Sequence, residues 1–133
     1  MANLEGARLE TNNPLRTPKD HGIHLAISSD ILPIGPMIGI YAAVTRKGMS
    51  GRVFGPGEKL GRLEALRAYT IDGAWITREE ALKGSLEPGK LADFIVLSDE
   101  PLTVPEEQLP DLTVLETYLG GTSVYRRRAA VNE

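Results

Sequence analysis

Lys83-Gly84-Ser85-Leu86-Glu87-Pro88-Gly89-Lys90-Leu91-Ala92-Asp93-Phe94-Ile95-Val96-Leu97 is the stretch on which the fold turns. Pro88-Gly89 predicts a type II turn. Proline sets φ near −65° at the second position, and glycine accepts the positive φ required at the third. The apolar run after Asp93 predicts a strand over Phe94–Leu97. Downstream, Val114 to Leu119 alternates, with Thr113, Leu115, Thr117 and Leu119 on one side and Val114, Glu116 and Tyr118 on the other. Gly120-Gly121 suits a two-residue hairpin, and Thr122 to Arg126 returns. Residues 99–112, rich in Pro, Glu and Asp, predict a surface excursion between these strands.

Upstream the character is helical. Thr77-Arg78-Glu79-Glu80 has the pattern of a capping box and predicts a short helix ending at Gly84. Arg62 to Ile71 predicts another, with Gly61 as N-cap and Glu64 three residues on. Residues 48–59 form a glycine-rich stretch whose spacing fits neither Gly-x-Gly-x-x-Gly nor a P-loop, so a plain loop is expected. Pro36 to Lys47 predicts a helix, with Pro36 at its first position, Arg46 and Lys47 in the last turn and Gly48 as its C′ residue. Gly22 to Ser28, apolar and β-branched at Ile23 and Ile27, predicts a buried strand. The breakers Asn12-Asn13-Pro14 and Thr17-Pro18 make residues 1–20 an irregular lead-in. Three segments follow: the lead-in 1–20, a strand-and-helix part 21–83, and an antiparallel β part 84–133. The fold class is mixed α/β.

Composition narrows the function classes. With 133 residues, 41% hydrophobic and 25% charged, the chain has the size and balance of about one globular domain. It has no cysteine, which excludes disulfides, zinc–thiolate sites and thiol catalysis. A net charge of −3 argues against a nucleic-acid footprint, and the short run Arg126-Arg127-Arg128 reads as a solvated tail. No apolar run approaches the ~20 residues of a membrane span, and no secretory signal is visible at Met1-Ala2-Asn3-Leu4-Glu5. A cytoplasmic location without membrane or nucleic-acid partners is the expectation.

Asp30 is the residue singled out for chemistry. It ends the predicted strand just before a loop, where α/β structures place their reactive groups. A carboxylate there ligates a cation or serves as a general base; equally, Ser28-Ser29-Asp30 suits a turn cap. Ser29 and the loop after it are candidate supporting residues. His21 and His24 are a poor chelating pair, because residues three apart on a strand point to opposite faces. His24 and Asp30 are separated by roughly 20 Å of extended chain, against the ~2 Å of a zinc–ligand bond. Neither Gly-x-Ser-x-Gly nor His-Glu-x-x-His is present.

Several of these stretches together resemble the metal-dependent amidohydrolase superfamily, in its amidohydrolase-3 branch. Gly22-Ile23-His24-Leu25-Ala26-Ile27-Ser28-Ser29-Asp30 is similar to the last barrel strand of that family, and Gly35-Pro36-Met37 through Thr45-Arg46 to the helix after it. Glu64 to Thr70 and Gly73-Ala74 resemble the next segment. Lys83 to Leu97 is the clearest match, and Thr117 to Tyr125 resembles the terminal hairpin. The resemblance runs over about residues 15–127. It implies the last strand–helix unit of a (β/α)8 barrel plus part of the adjoining antiparallel β-sandwich, with Pro88 and Gly89 forming a structural turn. It also implies hydrolysis of a carbon–nitrogen bond, in an amide or cyclic amide, by metal-activated water. A divalent metal, zinc first, is the cofactor of such enzymes, and Asp30 matches their metal-binding, proton-accepting aspartate. The family's His-x-His, bridging ligand and two later histidines have no counterpart here. A whole barrel needs roughly 250 residues. The expectation is therefore a carboxy-terminal segment inactive on its own, with no resident metal as one outcome. The alternative is a non-catalytic oligomerisation or interaction module derived from an amidohydrolase. Open strand edges predict a homo-oligomer or strand exchange.

Overall fold

A computed structural model describes residues 6–29 and 35–128. Helices occupy the first half: α1 (Ala7–Glu10), α2 (Arg16–Asp20), α3 (Pro36–Thr45), α4 (Arg62–Ala68) and α5 (Ile71–Ile76). Three strands follow, β1 (Phe94–Leu97), β2 (Val114–Leu119) and β3 (Thr122–Arg126), in an antiparallel sheet of order β1-β2-β3. The architecture is mixed α/β. No helix among the described residues is long and apolar enough to cross a membrane.

The buried core is small and lies among the helices. Ile40, Ala43 and Val44 of α3 pack with Leu15, Leu60 and Ala65, and with Val104, Leu109 and Leu112 from the segment before β2. Residues 99–112 are thus not the expected surface excursion. A 3-10 stretch, Glu106–Asp111, lays Leu109 fully into the core against α3 while its acidic residues face out. The period of one apolar residue among Glu, Pro and Asp is too sparse to announce this burial.

The lead-in, expected to be irregular, holds two short helices, and the second, α2, is capped by residues far along the chain. Glu58, itself buried, accepts from the amides of Leu15 at 3.0 Å and Thr17 at 2.9 Å and from the Thr17 hydroxyl. It thereby takes up donors at the start of α2 that have no intrahelical partner. Arg16 forks onto both carboxylate oxygens of Glu64, and Glu64 also accepts from the Gly61 amide at 2.7 Å, capping α4 as expected. The Thr17 hydroxyl, then the amides, hold the Glu58 carboxyl below its ordinary 4.5. A carboxylate depressed in the folded state contributes stability above its unfolded pKa and loses it as pH falls through the folded value. Thermal melts of Glu58→Gln beside wild type should therefore show the largest gap near neutrality. The gap should shrink as pH drops below 4.5. A gap that stays constant into acid would mean the charge is irrelevant to the clamp.

Three further expectations are corrected. Helix α3 ends at Thr45, not Lys47, with Arg46 rather than Gly48 in the left-handed conformation at φ 60°. The Arg46 side chain donates to the carbonyls of Phe54 at 3.1 Å and Asn12 at 2.8 Å. The chain then doubles back through a bridge between Lys47 and Val53. Thr77 starts no helix: α5 ends at Ile76, Arg78 has φ 60°, and the Thr77 hydroxyl turns to Glu79 Oε2 at 2.7 Å. The pattern Thr-x-Glu made a local turn. Residues 23–29 run extended but join no ladder among the described residues, and Ile23 and His24 are exposed. A strand is defined by a partner backbone, and here the Ile23 amide bonds the Pro18 carbonyl at 2.9 Å and the Ile27 amide the Ala68 carbonyl at 3.1 Å, two separate anchors that make no ladder.

The β part follows the sequence reading. Lys90 N–H bonds the Glu87 carbonyl at 3.1 Å across Pro88-Gly89, and Gly89 has φ +93°. Phe94 pairs with Tyr118, their rings stacked with centroids 4.5 Å apart. Gly120 and Gly121 both have positive φ, as a tight hairpin requires. Their amides are held by the Asp93 carboxylate at 2.7 Å and the Ala92 carbonyl at 3.0 Å, tying the hairpin back to the start of β1.

Candidate functional site

The extended segment 23–29 leads toward the start of α3, and a cleft of about 410 Å³ opens beside them. Ser28 and Ser29 line it on one side, Gly39 and Tyr41 of α3 on another, and Tyr69 at the end of α4 on a third. Gly39 has a packing reason: a Cβ there would lie 1.8 Å from Tyr69 Oη. Burial raises the Tyr69 phenol above its ordinary value, so it stays protonated and available as a hydrogen-bond donor in this cleft. Tyr69 is the residue at the cleft that sequence reasoning did not single out. A glycine on the core face of α3 was its one signal.

Asp30 itself lies outside the described residues. The described neighbours Ser28 and Ser29 are exposed, and both line the cleft. The two histidines are not brought together. His21 Nδ1 lies 2.8 Å from the Thr17 carbonyl at the end of α2. His24 stacks on Trp75 of α5, ring centroids 3.7 Å apart and 8° from parallel. Among the described residues no three of His, Asp and Glu converge where a metal ion would sit. The described residues by themselves therefore do not make up a complete metal site.

A larger cleft, about 700 Å³, separates α5 and residues 83–86 from the sheet. Its lining is mostly apolar, with Ala74, Leu86, Phe94 and Leu119 around it. The carboxylate there, Asp93, is engaged by the Gly120 amide. Lys83 also lines it and is paired with Glu79 at 2.8 Å, so with both charged groups engaged the opening reads as a seam between two parts of the fold.

Comparison with known proteins decides what the segments belong to. A profile described as the Amidohydrolase family matches residues 3–125. The chain belongs to the amidohydrolase family. It is similar to the N-substituted formamide deformylase of Arthrobacter pascens, 36% identical over 117 residues, covering 86% of this chain and 21% of that protein. It is also similar to the amidohydrolase YtcJ of Bacillus subtilis (strain 168), 34% identical over 125 residues, covering 90% of this chain and 24% of the relative. The crystal structure of an amidohydrolase from Thermotoga maritima MSB8 superposes with a TM-score of 0.60 at 23% identity, over 82% of this chain and 24% of that one. The chain thus spans between a fifth and a quarter of the length of these relatives. The Lys83–Leu97 stretch, the hairpin and the 22–30 segment all fall within the matched span. Membership in the amidohydrolase family accounts for their order along the chain.

Proposed function

We propose that this chain carries the closing strand–helix unit and part of the β-sandwich of a metal-dependent hydrolase of carbon–nitrogen bonds in amides or cyclic amides. In this reading Asp30 supplies one metal-binding and proton-accepting carboxylate, and the remaining ligands come from outside the chain. The observation that carries it is the continuous family match over residues 3–125, which places Asp30 inside the matched span directly after Ser28 and Ser29 of the cleft. The described residues bring no second and third ligand to that cleft, so the 133-residue chain is not expected to turn over substrate alone. What its own residues contribute is placement. The Ala68 carbonyl holds Ile27, and Tyr69 over Gly39 sets the spacing between α4 and α3.

The reading is tested in two steps. Metal content by plasma mass spectrometry should be far below one zinc per chain, in wild type and in Asp30→Ala alike. Near-stoichiometric zinc with amide hydrolysis would overturn the incomplete-site reading. The segment 3–125 is then transplanted into the Arthrobacter pascens deformylase in place of its counterpart. The chimaera should bind zinc and deformylate, and Asp30→Ala in it should lose both; removing a group that acts in proton transfer alone costs about 10²–10⁴-fold in rate. A chimaera indifferent to Asp30→Ala would remove the carboxylate from the mechanism.

A further inference from the structure

We propose that Arg16 and Glu64 are positioning residues, an ion pair that sets where the segment 23–29 runs and so how the carboxylate after it is presented. The inference rests on the reading in which Asp30 is that metal-binding carboxylate. Two helices grip the segment by their ends. The chain leaves α2 through a Schellman turn: Gly22 takes φ +72°, its amide returns to the Lys19 carbonyl at 2.9 Å, and the Ile23 amide returns to the Pro18 carbonyl at 2.9 Å. The start of the segment therefore moves with α2. Four residues on, the Ile27 amide donates to the Ala68 carbonyl at 3.1 Å. That carbonyl is one of the last in α4, which have no partner inside the helix. The segment is strung between two helix ends, and its course depends on how α2 and α4 stand to each other.

That relation is set at the opposite ends of the same helices. Arg16 opens α2. Its Nη1 donates to Glu64 Oε1 at 2.9 Å, its Nη2 to Glu64 Oε2 at 2.5 Å, and its Nε to the Lys59 carbonyl at 3.2 Å. A two-point fork onto a carboxylate fixes a direction as well as a distance. Glu64 is in turn tied to the start of α4, accepting from the Gly61 amide at 2.7 Å. Glu58 holds the same end of α2 through Leu15 and Thr17, but it stands before α4; the Arg16 fork is the link to α4 itself. The contacts close a ring. It runs from Arg16 to Glu64, along α4 to Ala68, across to Ile27, back along the segment to Ile23, and through the Schellman turn into α2. Every link lies within the described residues of this chain.

The test uses the 133-residue chain and the deformylase chimaera. In the chain, Arg16→Met should speed amide hydrogen exchange several-fold at Ile27, a residue that Arg16 does not bond. In the chimaera, Arg16→Met should lower kcat about 10–100-fold at unchanged KM and zinc content, since a misplacement of about 1 Å costs on the order of 10²-fold. Glu64→Gln keeps an acceptor for the Gly61 amide and weakens the fork, so it should move both readouts the same way. The double variant should be no worse than Arg16→Met alone, as for two halves of one interaction. Arg62→Met is the matched control. It removes an arginine at the start of α4 that donates instead to the Val104 carbonyl at 2.5 Å, and it should move neither readout. Circular dichroism verifies that each variant is folded. Unchanged exchange at Ile27 in Arg16→Met overturns the proposal. So do additive losses in the double variant, equal effects from Arg62→Met, or an unchanged kcat for Arg16→Met in a chimaera that Asp30→Ala inactivates. A chimaera indifferent to Asp30→Ala overturns the underlying reading and this one with it, and is told apart because there the carboxylate itself does nothing.

Discussion

Leu109→Ala should lower the unfolding free energy by about 2–5 kcal/mol, the range for emptying a leucine site that cannot collapse. Leu109 and Ile40 are the largest side chains completely buried among the described residues. Leu109 stands on a 3-10 stretch with Pro110 beside it, so the backbone has little freedom to follow the lost atoms inward. Its neighbours in the core include Ala43 and Ala65, which are too short to fill the gap. A domain of this size has only about 5–15 kcal/mol to lose. Urea titrations should show the midpoint falling with an unchanged slope. Leu102→Ala, at a position 44% exposed in the same excursion, should move the midpoint little. Equal effects at 102 and 109 would mean that the excursion is not part of the core.

Gly84→Ala is expected to be nearly as damaging, at about 2–5 kcal/mol from backbone strain and overpacking together. Gly84 has φ +94°, and an added Cβ would lie 2.8 Å from Ala74 Cβ and 2.9 Å from Ile71 Cα. Ile71 Cα belongs to the backbone of α5, so relief requires moving a helix, not turning a side chain. Gly89 separates the two costs. Its φ of +93° is almost the same, yet nothing lies within 4 Å of its would-be Cβ. Gly89→Ala should therefore show the conformational part alone, about 1–2 kcal/mol. Thermal or chemical melts of the two variants give the packing contribution by difference. Equal losses would mean that α5 yields freely and that its contact with Gly84 is loose.

How much of this was legible in the sequence depends on whether the cause was local. The turn at Pro88-Gly89, strands β1 to β3, the Gly120-Gly121 hairpin and the cap of α4 by Glu64 all arise within a few residues, and each was read correctly. The errors share a different origin. The start of α2, Leu15 to Thr17, is held because Glu58 and Glu64 reach it from more than forty positions away. Leu109 and Leu112 are buried because they cover α3, a need that no pattern inside 99–112 expresses. Residues 23–29 have the composition of a strand, but composition supplies no partner backbone. Thr77-Arg78-Glu79-Glu80 carries a start signal with no apolar helix behind it to reward propagation. At the candidate site, position and family resemblance pointed to Asp30, which lies outside the described residues. Tyr69 was not singled out, because its place against α3, where a Cβ added to Gly39 would lie 1.8 Å from its Oη, is defined only by the folded chain.

The location of the buried cluster has a dynamic consequence. Its members come from α3, α4, the lead-in, Leu60 just before α4 and residues 104–112, and none comes from a β-strand. The sheet is built from neighbours in sequence, with β2 and β3 joined by a tight hairpin, whereas the cluster joins Leu15 to Leu60 and Ile40 to Leu109. Two cooperative units follow, with different folding demands. The hairpin has low contact order and closes early and often, while the helical unit must pay the entropy of long loops before any contact rewards it. In the native ensemble the sheet can open without dissolving the helical core, so the two halves need not share one free energy of opening. The cleft beside Ser28 and Ser29 belongs to the slower, more deeply anchored unit, and β3 to the one that breathes.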